Sequence, residues 1–106
     1  MIKSLIQRGN GWQITIPPAL IKLLGLNPLD SKVQLRIVNK VLYIKEITPD
    51  NPDYEKYLVR SLSRKNTSWG LYMPNSILEL IDVNPETDKL NLEIEDNILV
   101  VKKAVL

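Results

Sequence analysis

The sequence predicts a mainly β chain with two short helices, in which two ββαββ repeats close together into one barrel. Three observations predict it. The chain matches itself at one fixed offset. Each matching stretch alternates short β-rich runs with a single proline-started helical run. Neither stretch is long enough to bury a sizeable core alone.

Trp12 and Trp69 stand 57 residues apart, and the same offset pairs Pro17 with Pro74, Asn27-Pro28 with Asn84-Pro85 and Ser4-Leu5 with Ser61-Leu62. Sliding Ile2–Ile47 onto Val59–Ala104 gives 12 identities in 46 positions without a gap. A tandem duplication follows, with a first repeat over 1–47, a linker over 48–58 and a second repeat over 59–106. The linker carries two prolines and three acids, and its eleven residues reach at most about 36–40 Å when extended.

Within the first repeat, Ile2–Gln7 reads as a short strand. Arg8-Gly9-Asn10-Gly11 is a turn, because glycine and asparagine tolerate positive φ. Trp12–Ile16 is a second strand with alternating β-branched residues. Pro17-Pro18 opens a short helix, where a missing N–H is not needed, and Leu20, Ile21, Leu23 and Leu24 form its expected apolar face. Gly25 is the αL stop. Val33, Leu35 and Ile37 mark a third strand, Asn39-Lys40 a tight turn, and Val41–Lys45 a fourth strand. The second repeat follows suit: Val59–Ser63, a turn at 65–68, Trp69–Met73, a helix after Pro74, Leu90–Glu95, a turn at Asp96-Asn97, and Ile98–Lys102. Asp82 replaces the stop glycine. Interleaving the two repeats' strands would supply the missing core and cover exposed edges.

Composition narrows the function classes. The chain has no cysteine and no histidine, which removes disulfides, thiolate metal sites and the commonest general base. Neither a glycine-rich phosphate loop nor a nucleophile elbow appears, so an enzyme is not expected and no cofactor or metal is implied. Asp50, Asp53 and Glu55 lack calcium-loop spacing and read as an acidic linker. No apolar run reaches membrane-spanning length and no signal-peptide pattern opens the chain, so the expected compartment is the cytoplasm. Net charge is only +2, but it is uneven: residues 1–47 hold seven bases and two acids, residues 59–106 six bases and seven acids.

The stretch RGNGWQITIPPALIKLLGL (Arg8–Leu26), followed by Asp30 and VQLRIVNKVLYIKE, resembles the AbrB/MazE-like family of swapped-hairpin DNA-binding domains. RKNTSWGLYMPNSILELIDV (Arg64–Val83) is a looser second match. The resemblance implies a swapped-hairpin barrel that most relatives build from two chains and this chain builds from its two repeats. It implies a cytoplasmic, nucleoid-associated transcription regulator that binds double-stranded DNA, or a toxin–antitoxin antidote. The antidote alternative, a module binding a toxin or regulatory protein with weak or no DNA binding, usually has a long C-terminal tail; only Val105-Leu106 follow the second unit here. Further self-association of the chain stays open.

The family's DNA face is its first strand and following turn, taken from both units. The matching positions are Lys3, Gln7, Arg8, Asn10, Arg60, Arg64, Lys65, Asn66 and Thr67, with Gly9, Gly11, Ser68 and the two tryptophans beside them. The residue chemistry agrees in part. Residues 60–65 hold three bases and no acid, and Lys3 and Arg8 are expected nearby as one phosphate footprint. Asn10 and Asn66 suit adenine edges, and the arginines suit guanine. Trp12 and Trp69 read as packing residues. Thr15 and Tyr72 stand where relatives often carry a DNA-contacting arginine. The acids Glu86, Asp88, Glu93, Glu95 and Asp96 are expected away from the basic cluster.

Overall fold

The computed structural model describes residues 1–27, 32–51, 58–65 and 68–105, with backbone alone at 64 and 65. Both halves carry the same elements in the same order. The first holds β1 (Ile2–Ser4), β2 (Ile6–Arg8), β3 (Gly11–Ile16), α1 (Pro18–Leu24), β4 (Lys32–Val38) and β5 (Val41–Ile47). The second holds β6 (Leu58–Ser61), β7 (Ser63–Lys65), β8 (Ser68–Met73), α2 (Asn75–Leu80), β9 (Lys89–Glu95) and β10 (Ile98–Lys103). Each expected first strand is broken in two, at Leu5 and at Leu62. Both leucines are buried, so the break is a kink that turns an apolar side chain inward. Leu58, expected in the linker, pairs with Leu35 as the start of β6.

Local chemistry accounts for the repeated elements. Pro17 and Pro74 cap the helices with φ of −63° and −61°, a value the pyrrolidine ring imposes anyway. Gly25 and Asp82 close them at φ of 70° and 58°; Leu26 and Val83 then donate back to Ile21 and Leu78 at 3.2 and 2.9 Å. That is a Schellman closure, and the buried Leu26 and Val83 supply its apolar contact. Leu23 departs from expectation: it is 62% exposed. Leu20, Ile21 and Leu24 share one arc of α1, and at 100° per residue Leu23 falls about 60° outside it. Asn39-Lys40 and Asp96-Asn97 all have positive φ, the two-residue hairpin turn that matches strand twist. At the start of the linker, hydrogen bonds from Thr48 and from its own backbone hold the exposed Asp50 carboxyl below its usual range.

The ladders exchange strands between the halves. One sheet has the order β1-β9-β10-β5-β4-β6, the other β2-β3-β8-β7. Reading either order backwards exchanges each strand for its counterpart in the other half. The register makes the symmetry explicit: Ile14 lies opposite Leu71, and Tyr43 opposite Val100, each pair being one position and its own repeat. An antiparallel pair of equivalent residues carries a two-fold axis normal to its sheet. One axis therefore runs through the centres of both sheets. The first strand of each half is donated to the other: among the described residues β1 pairs only with β9, and β6 only with β4.

Between the sheets lies a single core. Ile14 and Leu71 fill it from the four-stranded side, Leu42 and Leu99 from the six-stranded side, all fully buried. The helices contribute Leu20, Ile21, Leu24, Ile77 and Leu78. The Cα radius of gyration is 13.0 Å, the value of one domain of about this length rather than two beads. The expected closed barrel is corrected in its details. No ladder joins the two sheets among the described residues; each stays open, and the chain passes between them at the Leu5 and Leu62 kinks. Corners of this kind let two sheets share a core without a continuous hydrogen-bonded circuit. Among the described residues no helix is long and apolar enough to cross a membrane.

Because β1 and β6 find their partners only in the opposite half, Met1–Ile47 alone is expected to be unfolded or oligomeric. Circular dichroism with sedimentation velocity checks this, and a folded monomer contradicts the exchange. Leu71→Ala, at the centre of the core, should cost about 2–5 kcal/mol in a denaturant titration.

Candidate nucleic-acid interface

The four-stranded sheet turns one face to the core and the other outward. Trp12, Ile14 and Ile16 point in; Gly11, Gln13 and Thr15 alternate out. Cross-strand partners share a face, so Ile6 and Arg8 of β2 and Gly70 and Tyr72 of β8 join the outer group. Arg8 donates from Nε to Oε1 of Gln13 at 3.2 Å, which holds the guanidinium against the sheet. Gln13 is only 9% exposed because its amide occupies the space a side chain at Gly70 would need. Gly11 likewise lies beneath the Tyr72 ring and has no room for a Cβ. Gln13 and Gly70 are equivalent repeat positions. The face is thus asymmetric at its centre: a side chain from one half fills a gap left by the other.

The predicted residues spread across this framework unevenly. Lys3 lies on edge strand β1 opposite Leu90, half-buried; Arg60 lies on edge strand β6 opposite Val33, also half-buried, donating from Nη1 to the Val59 carbonyl at 2.9 Å. These strands are opposite edges of the six-stranded sheet, five strand spacings apart along the ladder. The bases therefore form two groups related by the axis, not one cluster. Arg8 and Asn10 are exposed at the first turn, where Gly9 takes φ of 58°. Gln7 pairs with Trp12 and is exposed. Arg64 and Lys65 belong to β7, with Lys65 opposite Ser68, so they run along the other edge of the four-stranded sheet. Their side chains, and Asn66 and Thr67 entirely, lie outside the described residues.

Two sequence expectations change in three dimensions. The acids of the second half are not all remote. Because β1 pairs with β9, residues 85–89 come against the first half's entry strand, and Glu86 and Asp88 line a groove of about 430 Å³ together with Gln7 and Trp12. Gln7 thus faces carboxylates, while Arg8 faces outward. The second change concerns Gln13 and Tyr72, which sit beside the axis on the outer face. Nothing in the linear spacing reveals that they meet across β3 and β8. Trp12 and Trp69 behave as packing residues, half-buried against the core. Asp53 and Glu55 lie outside the described residues, and among those described no group of three metal-ligating side chains converges.

The hairpin ends stand at diagonal corners of the sheet. Arg8 pairs with Gly11 at one end and Lys65 with Ser68 at the other, with β3 and β8 between. Three strand spacings and six residue steps separate them by about 25 Å. Comparison with known protein families, curated proteins and solved structures finds no match.

Gly70→Ala should displace the Gln13 amide and break its bond to Arg8. The expected cost is about 1 kcal/mol, read as a melting temperature lower by about 4–8 °C. Adding Gln13→Ala to it should cost less than the two single losses combined, since both act on one contact.

Proposed function

We propose that this chain is a DNA-binding transcription regulator of the AbrB/MazE-like type, which meets double-stranded DNA with the outer face and flanking turns of its four-stranded sheet. The observation that carries the reading is the internal two-fold axis normal to that sheet. Duplex DNA has two-fold axes normal to its own, and a protein two-fold aligned on one of them offers the same contacts to both strands. Turn ends about 25 Å apart span about seven base pairs at 3.4 Å each. The exchange of β1 and β6 between halves supports the finer fold reading, a swapped-hairpin unit assembled within one chain.

Charge around the axis supports the same face. Lys3 and Arg8 lead into one turn, and Arg60, Arg64 and Lys65 into the other, while both carry small or amide residues at the tip. Gly9, exposed with nothing beside its Cα, leaves its backbone open to close approach by phosphate oxygens. The arms are unequal. Lys89 beside the first and Lys32 beside the second hold the same repeat position, opposite Ser4 and Ser61, but the first arm has two bases against three and Glu86 lines the groove beside it. The second arm therefore contributes more of the phosphate attraction, and the preferred site is an imperfect palindrome.

If Lys3, Arg8, Arg60, Arg64 and Lys65 each neutralise one phosphate, the log–log salt dependence of duplex binding should have a slope of about −4 to −5. Fluorescence anisotropy across a salt series checks this, on a duplex chosen by unbiased selection. Arg64→Ala should reduce the slope by about one. A flat dependence, or no duplex binding at low salt, overturns the reading.

A further inference from the structure

The outward positions of the four-stranded sheet are related in pairs by the axis, and their occupants have diverged. The 57-residue offset matches Arg8, Gly11, Gln13 and Thr15 with Lys65, Ser68, Gly70 and Tyr72, and no position keeps its residue. One set interlocks. Arg8 lies opposite Gly11 and donates from Nε to Oε1 of Gln13 at 3.2 Å. The Gln13 carboxamide lies over Gly70, in the space a Cβ there would take. It therefore draws the guanidinium off β2 and in over β3, toward the axis between Ile14 and Leu71. Tyr72 directs the same side chain. Its hydroxyl and ring edge fill the space above Gly11, the residue facing Arg8, so the arginine stem cannot lie back on that glycine.

The equivalent positions of the other half cannot build this. Gly70 has no side chain to accept a hydrogen bond, Thr15 is too short to replace a ring, and Lys65 has no planar fork. Arg64 pairs with Trp69, the register position that alternates to the other face.

We propose that Arg8, held by Gln13 and Tyr72 as positioning residues, reads a guanine edge near the centre of the site, while the second arm grips phosphates without reading bases. This rests on the duplex-binding reading above. The turn ends stand about 25 Å apart and the major groove is about 12 Å wide, so the turns meet the backbones and the middle of the face meets base edges. With Nε engaged by Gln13, the two Nη groups remain as a planar pair of donors, the match for O6 and N7 of guanine. Fixing the guanidinium beforehand reduces the rotamer freedom lost on binding. Arg8 is exposed and Tyr72 is 45% exposed, so both reach the ligand. No acid occurs in β2, β3, β7 or β8, so no carboxylate of this sheet competes for the fork. A lysine at the matching position supplies a point charge, which suits a phosphate and not a bidentate base contact. The preferred motif is therefore one-sided, with a guanine on one side of the axis and no matching preference at its mirror position.

Selection from a randomised duplex library at low salt, then anisotropy on the selected duplex and a scrambled one, tests the proposal. Arg8→Lys keeps the charge and loses the fork, Gln13→Ala releases the guanidinium, and Tyr72→Thr installs the residue of the other half. Each should lower the preference for the selected over the scrambled duplex about tenfold. A guanidinium in the groove still neutralises nearby phosphates, so Gln13→Ala, which removes no charge, should keep the salt slope. Lys65→Ala should instead weaken both duplexes alike and reduce the slope by about one. Circular dichroism verifies that each variant is folded. A motif with two equal half-sites, duplex binding without base preference, or a preference that survives any of the first three substitutions overturns the proposal and leaves the duplex reading standing. Absence of duplex binding at low salt overturns both.

Discussion

The exchange of edge strands between the halves is the constraint on which the rest depends. A strand needs a neighbour for its amides and carbonyls, and β1 and β6 have theirs only in the opposite repeat. The inward leucines at the kinks, Leu5 and Leu62, then pin each donated strand at a corner of the shared core. Neither half has a complete sheet, and neither has a complete core. Hydrogen bonding and apolar burial therefore require the same arrangement, which makes the two repeats one cooperative body rather than two tethered ones.

That arrangement also gives the molecule one internal two-fold axis. A tandem repeat could have been joined in many ways that leave its halves facing independently. Here the axis passes through the Ile14–Leu71 and Tyr43–Val100 pairs, so each sheet presents a face with two-fold character to the outside. The two poles differ in chemistry. Around the four-stranded sheet, bases, amides and glycines gather near the turns. Around the six-stranded sheet, Arg36 on β4 and Glu93 on β9 flank a midline containing Tyr43 and Val100.

Duplication also allowed the copies to diverge where symmetry would have been costly. Two glutamines at the Gln13 and Gly70 positions would compete for one space beside the axis; a glutamine and a glycine share it. A homodimer cannot make such distinctions, because each residue it changes is changed twice.

Local signals in the sequence determined the elements. Proline set both helix starts, the residues at Gly25 and Asp82 both helix ends, and Asn39-Lys40 and Asp96-Asn97 both tight hairpins, because each acts through backbone sterics within a few residues. The 57-residue offset likewise determined that the chain has two equivalent halves. Tertiary structure alone decided which half each first strand joins, and that two open sheets stand where a closed barrel was expected. It also decided that the bases divide between two edges, and that Glu86 and Asp88 meet the first half's entry strand. These outcomes depend on pairings between residues 23 to 89 positions apart, and no local periodicity records which distant strand will complete a sheet.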